Sequence, residues 1–243
     1  MPTLTRDDGT TIHYTERGAG YPLLTFAPGG MRSAVAFWER SPFNPLRELA
    51  DEFRVIAMDQ RNAGASRAPI TAQDGWHSYA ADHLALLDHL GIQRCHVLGG
   101  CIGGAFALRL SVDHPERVSA AVLQQPIGLS PTNRSVFYEL FDSWSRELPL
   151  SIESAGITPA ILQSFRENMY GGSFVFSVQA DVVRTLPTPL LVLMGNDVYH
   201  PSEISREIVA LSPHAKLIES WKEPEVVPQT VREVRAFLRQ HTP

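Results

Sequence analysis

The sequence has few cysteines, no long hydrophobic run and no large excess of charge, and each absence excludes a class of protein. Two cysteines in 243 residues are too few for the disulfide framework of a small secreted domain. No apolar run reaches the roughly 18 residues that a membrane-spanning helix needs. A formal net charge of −5 gives no sign of a nucleic acid or an anionic membrane as partner. Residues 1–9 are polar and do not resemble a signal peptide, so we expect a cytoplasmic protein.

The two cysteines, Cys95 and Cys101, are also too far apart along the chain to pair with each other. Residues 94–99 are expected to form a strand, in which each residue advances the chain by about 3.3 Å. The two Cα atoms then lie farther apart than the roughly 7 Å that a disulfide tolerates. We therefore expect Cys101 to be a free thiol.

Apolar strand-like runs alternate with helix-like segments, which predicts an α/β protein with a mainly parallel sheet and helices on both faces. A hairpin over residues 3–17, with a turn at Asp8-Gly9, is expected at the edge of the sheet. Six further short runs rich in Val, Ile and Leu give an eight-stranded sheet; they lie at 23–27, 54–58, 95–99, 118–124, 190–194 and 215–218. Helices are predicted at 79–90, 102–112, 135–148, 203–211 and 226–238.

Residues 129–187 interrupt this alternation with a long helix-rich insertion between two strands. An insertion of this size in this place predicts a helical cap over an active site, with residues 1–128 and 188–243 forming the core. Aromatic residues such as Phe137, Phe141 and Trp144 recur in it at helical spacing. A second interpretation is that they only pack the insertion onto the core.

The most informative segment is 97–104, where a buried strand runs into a cysteine that also opens a helix. Gly99 and Gly103 flank Cys101 at two residues on either side. At such a sharp turn the strand and the helix pass so close that side chains at both glycines are expected to clash. The turn lifts the sulfur clear of the sheet and places it at a helix N-terminus, which favours a thiolate.

Other uses of these glycines fit the sequence less well. No register supplies the glycines of a dinucleotide fingerprint, and Gly104 is followed by Ala105-Phe106 rather than by the Lys-Ser or Lys-Thr of a phosphate-binding loop. No pair of histidines has the spacing of a metal site. The remaining alternative is a buried and inert cysteine in a tight strand-to-helix turn.

The chain resembles the α/β-hydrolase superfamily over nearly its whole length. Residues 99–103 match the family's Gly-X-nucleophile-X-Gly elbow, with cysteine where serine is usual. Residues 28–30, Pro-Gly-Gly, resemble its His-Gly-X oxyanion loop. Residues 59–66 resemble its Asp-X-Arg-Gly-X-Gly-X-Ser turn, and residues 194–197 resemble the strand-seven motif that carries the catalytic acid.

This resemblance implies roles for four residues. Cys101 is the expected nucleophile, and the backbone N–H groups of Gly30 and Ile102 are the expected oxyanion hole, which stabilises the negative charge that builds on a carbonyl oxygen. Asp197 is the expected acid that orients the base, although Asn-Asp is also common in ordinary turns.

The catalytic histidine does not follow the family pattern. It is expected after the last strand, where residues 220–223 read Ser-Trp-Lys-Glu. His200 is the best remaining candidate, because it follows Asp197 by three residues on the same loop, and its alternative is an ordinary surface histidine. His77 is a weaker candidate; the histidines at 13, 83, 89, 96, 214 and 241 fit worse.

These residues predict a cofactor-independent hydrolase with no metal, acting on a small, partly apolar activated ester, thioester or lactone through an acyl-enzyme. A thiolate attacks without a general base, but release of the acyl group to water normally needs one. The altered histidine therefore leaves two alternatives: a non-hydrolytic enzyme of the same fold (an acyltransferase, lyase or cyclase) and a ligand-binding protein without catalysis.

Overall fold

The computed structural model describes residues 2–148 and 156–243. Its centre is an eight-stranded sheet in the order β1-β2-β4-β3-β5-β6-β7-β8. The strands are β1 (Thr3–Thr5), β2 (Thr11–Arg17), β3 (Tyr21–Phe26), β4 (Phe53–Met58), β5 (Cys95–Gly100), β6 (Val118–Gln124), β7 (Leu190–Leu193) and β8 (Ala215–Ile218). Strands β3 to β8 run parallel, while β1 pairs antiparallel with β2, and β2 with β4. The predicted mainly parallel sheet and its edge hairpin are thus confirmed.

Helices cover both faces of the sheet. They are α1 (Pro45–Glu48), α2 (Trp76–His89), α3 (Ile102–Asp113), α4 (Arg134–Ser145), α5 (Pro159–Tyr170), α6 (Ala180–Val183), α7 (Ser202–Leu211) and α8 (Val227–Gln240), with 3₁₀ turns at Gly30–Arg32 and Val35–Arg40. Successive residues of β3, Leu23 and Leu24, belong to two different buried apolar clusters, as the alternation of a strand requires. Helices α2, α3 and α7 contribute to one cluster, and α1 and α8 to the other.

The segment predicted as a cap contains α4, α5 and α6, while its residues 149–155 lie outside the described residues. Helix α4 packs against α5 and against the Gly30–Arg32 turn. The side chain of Arg32 donates hydrogen bonds to Ser143 at 3.0 Å and to Glu147 at 2.7 Å. The insertion therefore lies beside the loop predicted to hold the oxyanion donors, and its role as a cap stays a prediction.

Several element ends differ from the sequence-based expectation. Helix α2 begins at Trp76, three residues before the predicted start, because Gly75 in an extended conformation ends the preceding loop. Helix α4 ends at Ser145 rather than at residue 148. Across residues 2–148 and 156–243, no helix combines the length and the apolar character needed to cross a membrane.

Candidate active site

The turn from β5 into α3 places Cys101 in a strained backbone conformation, with φ 58° and ψ −120°. A Cβ on Gly99 would lie 1.9 Å from the carbonyl oxygen of Gly103. A Cβ on Gly103 would lie 2.1 Å from the carbonyl oxygen of Phe26 in β3. Both distances are far below any van der Waals contact, so the predicted clash at these two glycines is confirmed.

Residue Cys101 is partly exposed, and the surroundings of its thiol favour the thiolate. Burial raises its pKa, but the His200 imidazolium and the N–H groups of Gly29 and Ile102 outweigh burial and hold the pKa below its ordinary value. Among the described residues, neither of these two N–H groups donates to a backbone carbonyl, and the N–H of Gly30 does not either. The N–H groups of Gly29 and Ile102 are therefore directed to the sulfur, and the N–H of Gly30, the neighbour of Gly29, is not used by a backbone carbonyl of the described residues.

The imidazole of His200 is held by the carboxylate of Asp197. Its Nδ1 lies 2.8 Å and 2.9 Å from the two carboxylate oxygens. The hydrogen bond from His200 is the largest cause that lowers the pKa of Asp197 to about 2. Burial lowers the pKa of His200, but the Cys101 thiolate and Asp197 oppose it and raise the pKa to about 9. Asp197 and Cys101 thus both favour an imidazolium at His200.

The other nitrogen of His200, Nε2, is buried and makes no hydrogen bond to any described residue. Cys101 is the group that raises the pKa of His200 most, and His200 is the group that lowers the pKa of Cys101 most, so the two side chains lie close enough to influence each other. In proteins without bound substrate, catalytic hydrogen bonds are often long and tighten when the substrate binds. Among the described residues, Nε2 of His200 therefore has no competing hydrogen-bond partner.

Residues 195–200, which we call the acid–base loop after the roles predicted for Asp197 and His200, bring these two residues together in one tight turn. Backbone bonds link Asp197 and His200 in both directions, at 3.1 Å and 3.3 Å. A Cβ on Gly195 would lie 2.4 Å from the Cβ of His200, so only glycine allows this packing. The Nδ2 group of buried Asn133 donates to the carbonyl of Val198 at 2.8 Å and holds the middle of the loop.

The place where the family pattern expects a histidine is occupied differently. Trp221 is buried, and its Nε1–H donates to the carbonyl of Met194 at 2.8 Å. The ammonium group of Lys222 lies 2.6 Å from Oδ1 of Asn196. The structure therefore brings Cys101, His200 and Asp197 together, and the histidine beside the thiol comes from the loop after β7 rather than from the loop after β8.

The other histidines are engaged elsewhere. His83 hydrogen-bonds Gln60 at 2.8 Å, and burial lowers the pKa of His83 to about 3. His96 hydrogen-bonds Thr242 at 2.9 Å, and burial lowers the pKa of His96 to about 4. His77 lines an open surface groove of about 620 Å³ beside the start of α2. In the described part of the chain, no three His, Cys, Asp or Glu side chains are arranged to hold a metal ion.

The sequence reasoning missed two residues that build the site. Of the two amides that lower the pKa of Cys101, that of Ile102 was predicted to lie there and that of Gly29 was not; the oxyanion roles of Gly30 and Ile102 stay predictions. Asp59, which the sequence analysis named only as part of a motif, accepts hydrogen bonds from the N–H groups of Val35 at 2.8 Å and Ala65 at 2.9 Å, which joins the Val35–Arg40 turn to the 59–66 turn. The buried acid in that motif was the signal for this role.

A comparison with known protein families identifies the fold family. The alpha/beta hydrolase fold family matches residues 22–153, more than half of the chain. The chain belongs to this family. It is 37% identical over 125 residues to a 2-hydroxymuconate semialdehyde hydrolase of Pseudomonas sp. (strain CF600), a match that covers 50% of this chain and 41% of that protein. It is 26% identical over 264 residues to the enzyme of that name from Pseudomonas putida, covering 95% and 91%.

Solved structures agree on the fold of this alpha/beta hydrolase family member. A hydrolase from Pseudomonas aeruginosa PA01 superposes with a TM-score of 0.73 at 23% identity, covering 98% of this chain and 97% of the other. This superposition shows that the fold is shared over nearly the whole chain. The sequence matches are shorter, since several of the curated relatives are matched over only about two fifths of their own length.

Proposed function

We propose that the protein is a cofactor-independent hydrolase that uses Cys101 as its nucleophile on an activated ester, thioester or lactone. The observation that carries the proposal is a partly exposed cysteine at a strained elbow, whose thiol pKa is lowered beside an imidazole that Asp197 holds. Relatives named as hydrolases support the general class. The nucleophile, the substrate class and the roles below are our proposal.

The first half of the reaction forms an acyl-enzyme. The Cys101 thiolate attacks the carbonyl carbon, a C–S bond forms, and the carbonyl electron pair moves onto oxygen. The N–H of Ile102, with that of Gly29 or Gly30, stabilises this negative charge; one such donor is typically worth about 100- to 1,000-fold in rate. When the intermediate collapses, the leaving group departs with its bonding electrons and takes the proton from Nε2 of His200.

The second half returns the thiol. His200 is neutral in the acyl-enzyme because it has given its proton to the leaving group, and it stays neutral because the sulfur, whose charge was the main cause that raised the pKa of His200, is now uncharged. Neutral His200 then removes a proton from water, and the resulting hydroxide attacks the thioester carbonyl. The acid product leaves, and Cys101 departs as a thiolate beside the imidazolium, as at the start.

Selective alkylation tests the proposal, because the chain has a matched control thiol. Cys95 is fully buried, and burial raises its pKa to about 12, so it stays a thiol at neutral pH. Iodoacetamide should therefore modify Cys101 and not Cys95, and turnover of a p-nitrophenyl ester should fall in proportion to the label. Cys101→Ala should be inactive and unlabelled, and Cys95→Ala should behave as the parent protein. Full turnover after complete labelling of Cys101 would rule out the mechanism.

The same assay distinguishes the proposed hydrolase from the two alternatives, a non-hydrolytic enzyme and a ligand-binding protein. An acyltransferase would accumulate the acyl-enzyme and pass the acyl group to an added alcohol or amine in preference to water. A ligand-binding protein would show no turnover, and its thermal stabilisation by ligand would be unchanged in Cys101→Ala.

A further inference from the structure

Lys222 occupies the part of the chain in which the family pattern expects the catalytic histidine. Its ammonium group donates to Oδ1 of Asn196 at 2.6 Å and reaches Oε1 of Gln125 at 3.5 Å. Among the described residues, no carboxylate lies within 4.0 Å of this ammonium, and the adjacent Glu223 bonds Ser220 instead. The charge is therefore directed onto two neutral amide oxygens, where a hydrogen bond from a cation is stronger than one between neutral groups.

These two amides belong to opposite halves of the site. Asn196 immediately precedes Asp197 in the acid–base loop. Gln125, with φ 40°, follows Gln124, and the carbonyl of Gln124 accepts the N–H of Cys101 at 2.9 Å. Lys222 thus connects the loop that carries the acid and the base to the segment on which the elbow rests.

We propose that Lys222 is a positioning residue that keeps the acid–base loop where His200 faces Cys101. The inference rests on the proposed function, because positioning matters only if His200 exchanges protons at the sulfur. Asn133 holds the middle of the loop at Val198, and the hydroxyl of Ser205 holds its start at the N–H of Gly195. Lys222 holds the residue directly before the acid.

Lys222 is expected to act by holding the acid–base loop in place rather than by an electrostatic effect on the pKa of Cys101 or His200. The causes that lower the pKa of Cys101 are His200 and the two amides, and those that raise the pKa of His200 are Cys101 and Asp197. Lys222 is not among them, while the phenol of Tyr170 is a further ionisable group that senses the Cys101 charge. Because Asp197 sets the place of the imidazole, a small shift of Asn196 moves Nε2 relative to the sulfur, and misplacement by about 1 Å can cost about 100-fold in rate.

The test compares the two lysines of the chain, Lys216 and Lys222. Lys222→Met should lower kcat on a p-nitrophenyl ester by about tenfold with KM little changed, since only part of the positioning is lost. The midpoint pH of Cys101 alkylation should rise, because a displaced imidazolium stabilises the thiolate less. Lys222→Arg should recover most of both values. Lys216→Met, which removes the same charge from the one exposed position of β8, should match the parent protein.

Asn196→Ala removes the same hydrogen bond from the other side. It should reproduce the loss of Lys222→Met, and the double variant should lose little more, as expected of two residues that act through one contact. Parent-like kcat and alkylation midpoint in Lys222→Met, or fully additive losses in the double variant, would overturn the inference. Failure of the proposed function gives a different result, namely turnover that survives in Cys101→Ala, while the alkylation midpoint still reports on Lys222.

Discussion

The two halves of the candidate site are held by different forces. The elbow is closely packed against backbone atoms: a Cβ on Gly99 would lie 1.9 Å from the carbonyl oxygen of Gly103 in the first turn of α3. The acid–base loop lies at the rim, where the Asp197 side chain is 42% exposed and side-chain hydrogen bonds from Asn133 and Lys222 hold the loop. Close packing restricts which residues a position accepts, whereas hydrogen bonds at a rim can be rearranged. The nucleophile half is therefore expected to tolerate less change than the half that carries the base.

Substituting matched glycines in the two halves should separate folding from function. Gly99→Ala forces a Cβ into the backbone of Gly103, so strand and helix must move apart. We expect it to lower the free energy of unfolding by about 3 kcal/mol, at the upper end for overpacked sites. Urea denaturation measures this loss.

The partner substitution in the other half is Gly195→Ala, whose Cβ would lie 2.4 Å from the Cβ of His200. Since the loop is at the rim and can shift, we expect a loss of only about 1 kcal/mol in the free energy of unfolding. The displaced imidazole should nevertheless reduce kcat by about 100-fold. A Gly195→Ala protein as unstable as Gly99→Ala, or one with unchanged kcat, would remove the contrast between the halves.

The pH dependence of kcat/KM should show how Asp197 acts on His200 within the acid–base loop. Activity should rise as Cys101 ionises, at a pH below the thiol's ordinary value of 9, and fall as His200 loses its proton near pH 9. Asp197 helps to raise the pKa of His200, so Asp197→Asn should move the falling limb to lower pH by about one unit. Because the Cys101 thiol and the His200 imidazole titrate as a coupled pair, the pKa values of the rising and falling limbs describe the pair and not either residue alone. A falling limb unmoved by this change would mean that Asp197 does not act on the imidazole.

The sequence predicted most of the fold because packing leaves a readable pattern. Strands buried on both faces appear as short aliphatic runs, and the predicted strand at 118–124 matches β6 in both bounds. The elbow was readable for the same reason, since Gly99 and Gly103 are the residues that its close approach demands. Helix ends were less predictable, because capping by an extended Gly75 or the early end of α4 depends on neighbouring segments.

The candidate base was harder to predict. Spacing placed His200 near Asp197, but only the geometry of the turn brings Nδ1 to 2.8 Å from the carboxylate. The contact of the Gly29 amide with the sulfur was not predicted, because a sequence motif does not specify which way a peptide plane points, and the oxyanion role of Gly30 stays a prediction. The contact between Lys222 and Asn196 joins residues 26 positions apart and carries no local pattern.

The central claim is that an imidazole supplied by the loop after β7 ionises the elbow thiol. The most direct measurement is the rate of Cys101 alkylation by iodoacetamide against pH, in the parent protein, in His200→Gln and in the exposed control His77→Gln. The parent and His77→Gln should share a midpoint below pH 9, and His200→Gln should shift it upward, because burial then acts on the thiol without the opposing charge. The same midpoint in all three proteins would contradict the claim.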